Sequence, residues 1–449
     1  MLCIFSFSGC SSKINHYSDY DEYLTQASKN TSNAKPNTKT SKKFISSLND
    51  FNMTISYPYN ISAQSKSVFM TACNKINQKY GCEIKYDFDN KSSAHIMYTD
   101  PSNLLKYIES NKICDLTSAI NQIQLKFNKE YYNQQYTNLL NINYKQYGWV
   151  SDIGTTEMPN VIIFNKSLLK SMDIADFRQL CEQEEWTFDN LEKAIKISKD
   201  NDYYELSAIP EISVFESICA SKNCYPIKSE SGQSPTSNID NSLVIQALKQ
   251  LDNWYNDESV ISKNNNSITK RITDFINGKS TMIFLNSKWF AIYSDMMKNH
   301  NSNDFAVVPF ASEHHTNKYK NVCSPRFFAY IPIKYQSSAS KILFLQNELY
   351  KALSKDCFTL FSNDFSSISK GSLLFAYNIK YSIKNNQTIN SVFDIYESQS
   401  TIGTNSLVKS IAKGLSYNDA IEKYKNGIDN YYNTVLNDYI CSGINSSMF

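Results

Sequence analysis

The chain reads as an α/β protein with more than one domain. Strand patterns alternate with helix patterns along it, and the first two strands are joined by a crossover long enough for parallel pairing. Its 449 residues suggest two or three domains at roughly 100–200 residues each, with ample chain for a sizeable core.

Met53-Thr54-Ile55-Ser56-Tyr57 is β-branched and aromatic and predicts the first strand. Val68, Phe69, Ala72, Ile76 and Tyr80 recur at helical spacing and predict a helix over 67–79, which Gly81 stops. Cys82-Glu83-Ile84-Lys85-Tyr86-Asp87-Phe88 alternates as a second strand, and Ala94-His95-Ile96-Met97-Tyr98 reads as a short buried one ending at Asp100-Pro101. Val161-Ile162-Ile163-Phe164-Asn165-Lys166 is a strong strand that leads into a short helix over 167–172. Further on, Thr187 is placed to cap a helix, Asp189 suits its positive end, and Trp186 can pack on Leu191. Leu243, Ala247, Leu248, Leu251, Trp254 and Tyr255 share one face of a helix over 242–256. Strands are predicted at 281–285, 305–310 and 327–332. From about 340 onward the chain reads as mostly helical, closing with a Ser416-capped helix that runs to about Tyr439.

Lys and Arg number 45 against 43 Asp and Glu, a formal net charge of +2. Without a basic excess or a long basic run, binding to nucleic acid through phosphate neutralisation is not expected. Apolar residues make up 41% and aromatics 13%, so the bulk of the chain can fold. The 31 Tyr and 25 Phe dominate the aromatics, and Tyr joins an apolar face to a polar tip, which suits wet recognition surfaces. Only 11 Gly are present, about a third of the average share, which weighs against a phosphate-cradling glycine loop. Gly278-Lys279-Ser280 ends like such a loop, but Thr273 stands where its first Gly belongs. Neither HExxH nor GxSxG occurs, and His314-His315 lie in a polar loop and read as solvated. The 11 Cys are odd in number, with no CxxC and no Cys/His cluster, so neither a metal site nor a cofactor is expected. Cys219 and Cys224 leave two readings open, a small disulfide loop or buried free thiols.

The first residues, Met1-Leu2-Cys3-Ile4-Phe5-Ser6-Phe7-Ser8-Gly9-Cys10, form an apolar run that ends in small residues and a Cys. This resembles the end of a bacterial lipoprotein signal, which implies lipidation at Cys10; an ordinary apolar N-terminus with a chance Cys is the competing reading. From Ser11 to about Lys43 the chain is rich in Ser, Asn, Thr and Lys and reads as a flexible tether. About 35 such residues reach ~30–35 Å, enough to hold a domain clear of a membrane surface. No later run approaches the roughly 18 apolar residues of a membrane span.

The order of these segments resembles bacterial extracellular solute-binding proteins of family 1, the sugar-binding components of ABC importers. Tyr147-Gly148-Trp149 followed by 161–169 is similar to the family's crossing strand and "YNKxLF" element, and 186–191 to its "TWDEL" helix start. Phe275-Ile276-Asn277-Gly278-Lys279-Ser280-Thr281-Met282 with Trp289 resembles "FxxGKxAM…W", and Tyr330-Ile331-Pro332-Ile333 the "xAIP" strand. The family usually has Pro-Asp where this chain has Ala94-His95, and the segment 87–93 is short, so one wall of the cleft is expected to be remodelled. The resemblance implies a two-lobed periplasmic-binding-protein fold of type II, each lobe a mainly parallel sheet flanked by helices, joined by crossing strands. It divides the chain into 1–10 (signal remnant), 11–48 (tether), 49–155 plus 303–336 (first lobe) and 156–302 plus 337–449 (second lobe).

What the resemblance implies for function is capture of a saccharide between the lobes without catalysis. The partners implied are ABC permease subunits and the outer face of a bacterial cytoplasmic membrane, reached through the lipid anchor, with the protein itself monomeric. Trp289 stands where the family's cleft aromatic sits; a core Trp is its competing reading. Trp149 lies beside the first crossing, with Asp152 three residues later. Tyr57 and Tyr59 follow the first strand's C-terminal end and Asp100 follows the third, the edge where α/β sheets bind ligands. Asn286 follows the strand that precedes Trp289, and Arg326, one of three Arg, precedes a crossing strand. Trp186 and Trp254 have packing explanations. The rival functions are a surface lipoprotein of the same fold that binds a peptide or partner protein, and a carbohydrate-active enzyme whose carboxylate pair no motif marks.

Overall fold

The computed structural model describes residues 42–57, 63–87, 93–127, 131–151, 157–228, 235–257, 260–263, 267–286, 304–316, 318–325, 327–353, 388–390, 396–397 and 402–435. The chain divides into two units, Met1–Asn49 and Asp50–Phe449. In the first, the end of the expected tether forms a short helix, α1 (Lys42–Ser46).

The second unit opens with β1 (Asn52–Ser56), α2 (Ala63–Tyr80) and β2 (Glu83–Asp87), and β1 and β2 pair in parallel with Asn52 opposite Glu83. This is the crossover that the sequence predicts; Phe69, Cys73 and Ile76 supply the buried face of α2. Ile96 bridges Ile55 in parallel and leads into β3 (Met97–Thr99). Helices α3 (Leu104–Glu109), α4 (Thr117–Ile123) and α5 (Gln134–Leu139) follow, and then a small ladder of β4 (Asn141–Ile142) and β5 (Lys145–Gln146).

The chain then enters β6 (Glu157–Asn165), the long strand centred on the Val161–Phe164 run that the sequence marks as strong. Helices α6 (Lys166–Ser171), α7 (Phe177–Glu182) and α8 (Phe188–Asp200) precede β7 (Ser207–Ile209) and α9 (Glu211–Ser221). Thr187 stands at the N-cap of α8, but its side chain makes no capping bond, which corrects the role expected for it. After β8 (Ile227–Lys228) and β9 (Thr236–Ser237) come α10 (Ser242–Asp252), α11 (Ile268–Ile276) and β10 (Met282–Asn286). A π-helical turn, Asn253–Asp257, takes over where α10 ends, and Leu243, expected on the buried face, is exposed.

The remaining strands are β11 (Phe305–Pro309), β12 (Asn321–Pro325) and β13 (Phe328–Tyr330). They are followed by α12 (Ala339–Ala352), β14 (Thr388–Asn390), α13 (Thr404–Ala412) and α14 (Tyr417–Asn430). Ser416 caps α14 as expected, accepting from the Asp419 N–H at 3.2 Å, and a π-helical turn (Tyr431–Val435) extends it.

Two sheets organise these elements. In the first, β2, β1 and the Ile96–Thr99 stretch are joined by β13, which runs antiparallel to β3, and Trp149 bridges Ala329 on its far side. In the second, β7 and β10 are parallel, and β6 runs antiparallel between β10 and β11. The start of β6 pairs instead with β12, which β14 flanks in parallel. Strand β6 follows Trp149 of the first sheet and β12 precedes β13, so the chain passes between the two sheets at both places. Two stretches lie in the lobe opposite to the one the sequence suggested. Phe305–Pro309 is laddered to β6 in the second sheet, because its five buried residues complete that strand's other flank. Ala339–Ala352 packs against α2 and α4 in the first lobe, where Glu348 accepts from Lys79 Nζ at 2.9 Å and Tyr80 Oη at 2.6 Å. The helices α9, α10, α13 and α14 pack on one another in the second lobe.

Candidate functional site

The C-terminal edge of the first sheet is built from tyrosines. Tyr57 follows β1 and donates its N–H to the Asp87 carbonyl at 2.9 Å, which extends the ladder by one residue. Its ring, 2% exposed, meets Phe69 at 5.4 Å, Tyr98 at 5.9 Å and Tyr86 at 6.3 Å, the last two edge-on. Tyr350, from the end of α12, closes the group from below. Its hydroxyl accepts the Trp149 Nε1–H at 3.4 Å and adjoins Ser151 and Tyr98. Tyr132 packs edge-on against Tyr350 at 5.2 Å. Burial pushes the Tyr86, Tyr98, Tyr132 and Tyr350 phenols above their ordinary range, so at neutral pH each keeps its proton and can donate as well as accept. Tyr86 and Tyr98 are half-buried as residues, with their hydroxyl ends enclosed in the cluster.

The C-terminal edge of the second sheet is polar. Pairing sets Leu285 of β10 opposite Ile209 of β7, so Asn286 and Pro210-Glu211 leave the sheet side by side. Asn286 is 4% exposed and donates its amide to Asn160 Oδ1 at 2.8 Å. Asn160 in turn donates to the Ser213 carbonyl at 3.1 Å and Ser217 Oγ at 3.2 Å, both on α9. Arg271 of α11 donates to the Ala208 carbonyl at 2.7 Å and stands 3.5 Å from Glu211 Oε1. Nearby, the Tyr255 hydroxyl and Arg271 Nε are buried and find no hydrogen-bond partner among the described residues. Burial, with Glu211 adding to it, raises the Tyr255 phenol far above its ordinary range.

Of the residues singled out from sequence, Tyr57 and Trp149 converge on the same tyrosine cluster. Both stand behind its surface: Trp149 is 0% exposed, with its N–H already committed to Tyr350. Asp100 is exposed, and its Oδ1 accepts from the Ser102 N–H at 2.9 Å to cap a short turn after β3. Asn286 belongs to the other lobe's edge. Tyr59, Asp152, Trp289, Arg326 and Cys10 lie outside the described residues. Trp186 and Trp254 are core residues: Trp186 stacks on Phe177 at 4.3 Å and donates to the Pro309 carbonyl, and Trp254 donates to Glu192. Cys219 and Cys224 are free thiols, and His314 is well exposed.

Sequence reasoning missed Tyr86, Tyr98, Tyr350, Asn160, Glu211 and Arg271. Tyr98 ends a predicted strand, so the rule that selected Tyr57 could have found it, whereas Tyr86 lies two residues inside the end of another. Tyr350 carries no such signal, since a helix position does not reveal which sheet edge it reaches. Rings with neutral hydroxyls on one side, and amides with a carboxylate–guanidinium pair on the other, can pack against C–H patches and hydrogen-bond hydroxyl groups. Among the described residues no group of three or more His, Cys, Asp or Glu could hold a metal ion, and no helix is long and apolar enough to cross a membrane.

Solved structures of this architecture are two-lobed binding proteins. The GacH receptor of Streptomyces glaucescens, solved unliganded and with acarbose, is 12% identical, with 87% of this chain and 99% of that one covered and a TM-score of 0.55. The galacto-N-biose/lacto-N-biose I-binding protein of a Bifidobacterium longum ABC transporter, solved with lacto-N-biose, is 14% identical over 86% and 97%, also at 0.55. A family 1 extracellular solute-binding protein from Bifidobacterium longum subsp. infantis is 14% identical over 84% and 98%, again at 0.55. The fold of this chain is theirs. It is the two-lobed fold of type II that the order of sequence segments implies. No family model matches the chain, and no curated protein matches it.

Proposed function

We propose that the protein is the extracellular substrate-binding component of an ABC importer. It captures a carbohydrate, foremost an oligosaccharide, between its lobes by hinge closure and passes it unaltered to the membrane permease. The observation that carries this reading is the tyrosine cluster at the C-terminal edge of the first sheet, in a chain that shares its fold with sugar-binding proteins along nearly their whole length. Each stacked ring contributes ~0.5–1.5 kcal/mol beyond its area, so micromolar affinity, about −8 kcal/mol, calls for contacts from both lobes. In this reading Tyr86 and Tyr98 face the ligand, and Tyr57 and Trp149 hold them from behind. Asn286, Glu211 and Arg271 serve the opposite wall, and Trp289, Tyr59, Asp152, Arg326 and Asp100 complete the rim. Lipidation of Cys10 anchors the monomer to the outer face of the cytoplasmic membrane.

Thermal-shift screening against oligosaccharides, polyols and peptides tests the reading. A saccharide present at 100 times its dissociation constant stabilises by ~2.7 kcal/mol, is recovered intact, and loses its effect in Tyr98→Ala. Shifts with peptides alone would favour the partner-binding lipoprotein, and cleavage of a glycosidic bond by the pure protein would make it an enzyme.

A further inference from the structure

The C-terminal end of α9 brings two cysteines together. Asn223 follows the helix with φ 57°, in the left-handed region, and the Cys224 N–H donates back to the Cys219 carbonyl at 2.9 Å. A bond of that span across a left-handed residue is the Schellman ending, which presses the side chain after the left-handed residue against one in the last turn. Here both side chains are thiols. The Cys224 thiol donates to the Cys219 carbonyl oxygen at 3.4 Å, which holds the two side chains together at the helix end. Both are buried, yet Cys224 sits between exposed Asn223 and Tyr225, one residue's thickness from solvent. Lys222, ion-paired to Glu313, and Lys320 supply positive charge around Cys224.

We propose that Cys219 and Cys224 form a thiol–disulfide exchange site, in which Cys224 attacks a low-molecular-weight disulfide and Cys219 resolves the product. In the first step the Cys224 thiolate bonds to one sulfur of RSSR, the RS–SR bond breaks, and RS⁻ leaves and takes up the proton Cys224 gave away. In the second, Cys219 loses its proton, its sulfur attacks the Cys224 sulfur, and a second RSH departs. Two protein thiols are oxidised by two electrons to one disulfide, and RSSR is reduced to two RSH. The neighbouring Cys219 thiol and the Lys222 and Lys320 ammonium groups favour the thiolate at Cys224 against its burial and the Glu313 carboxylate, while burial keeps Cys219 protonated. Elsewhere burial pushes Cys73 and Cys114 up to about 12, so they are inert by comparison. The site stands apart from the carbohydrate reading, although α9 also carries the Ser213 and Ser217 partners of Asn160.

The test is to equilibrate the folded full chain with glutathione and glutathione disulfide at graded ratios. Samples are quenched with N-ethylmaleimide in denaturant, and labels are mapped by peptide mass. The peptide holding Cys219 and Cys224 should lose both labels at ratios where Cys73 and Cys114 keep theirs. Cys219→Ser should instead trap a glutathione adduct on Cys224, and Cys224→Ser should leave Cys219 labelled. Retention of both labels at the most oxidising ratio, a disulfide to a third cysteine, or an adduct on Cys219 in Cys224→Ser would overturn the proposal.

Discussion

The Tyr350 hydroxyl is the point on which the first lobe's aromatic wall is held, since it takes the indole N–H of fully enclosed Trp149. Tyr350→Phe keeps the ring but strands that buried donor, which costs about 1–3 kcal/mol. Urea denaturation should register it, and a loss under ~0.5 kcal/mol would mean that the indole finds another acceptor. His95 makes a different kind of bond. The Thr54 N–H donates to its Nδ1 at 3.1 Å, so that nitrogen must be unprotonated, and the ring stacks on Tyr335 at 4.1 Å. Burial, with Lys334 adding to it, holds its pKa below the ordinary 6.5. The unfolded chain therefore protonates His95 at a higher pH than the folded one. The bond's contribution is complete above 6.5 and is lost as pH falls from there through the folded value. The urea midpoint should drop between about pH 7.5 and 5 in the native protein, with a flatter profile in His95→Gln; identical profiles would exclude the mechanism.

At the level of elements, the bridge from Trp149 to Ala329 depends on Gly148. A Cβ there would meet the Ala329 carbonyl oxygen at 2.5 Å and Phe328 Cδ2 at 2.8 Å, beside the backbone bridge from Trp149 to Ala329. Gly148→Ala should cost about 1–3 kcal/mol by overpacking and weaken ligand binding as the bridge shifts. Calorimetric unfolding alongside ligand titration checks both, and an unchanged melting profile would show that the bridge yields freely. Strands β1, β2 and β10 and helix α2 were legible in the sequence, because their apolar periods are local properties, whereas Tyr147-Gly148-Trp149, expected as a crossing strand, makes only an isolated bridge at Trp149. Which lobe receives β11 and α12 was not legible, since a strand's partner and a helix's host are settled by distant residues: Val161 to Asn165 for the one, Lys79 and Tyr80 for the other. The same distinction divides the candidate site. Strand-end residues such as Tyr57 and Asn286 announce themselves by position, whereas Tyr350 and Arg271 reach a sheet edge from helices whose placement no local pattern encodes.

For the molecule as a whole, the proposed function predicts closure only with a ligand that touches both edges. Small-angle scattering should record a smaller radius of gyration at saturation with the sugar giving the largest thermal shift. An unaltered radius would leave the two walls acting independently. The last segments are held by many partners besides their own chain. Strand β14 is laddered to β12, the Tyr396 hydroxyl donates to the Leu139 carbonyl at 3.2 Å, and α13 packs on α9 and α10. It follows that the described segments from 388 onward are bound to the rest of the fold by contacts of their own as well as by the chain. Separately expressed fragments divided between 353 and 388 should reassociate into one species on a sizing column, which makes the protein a candidate for fragment complementation.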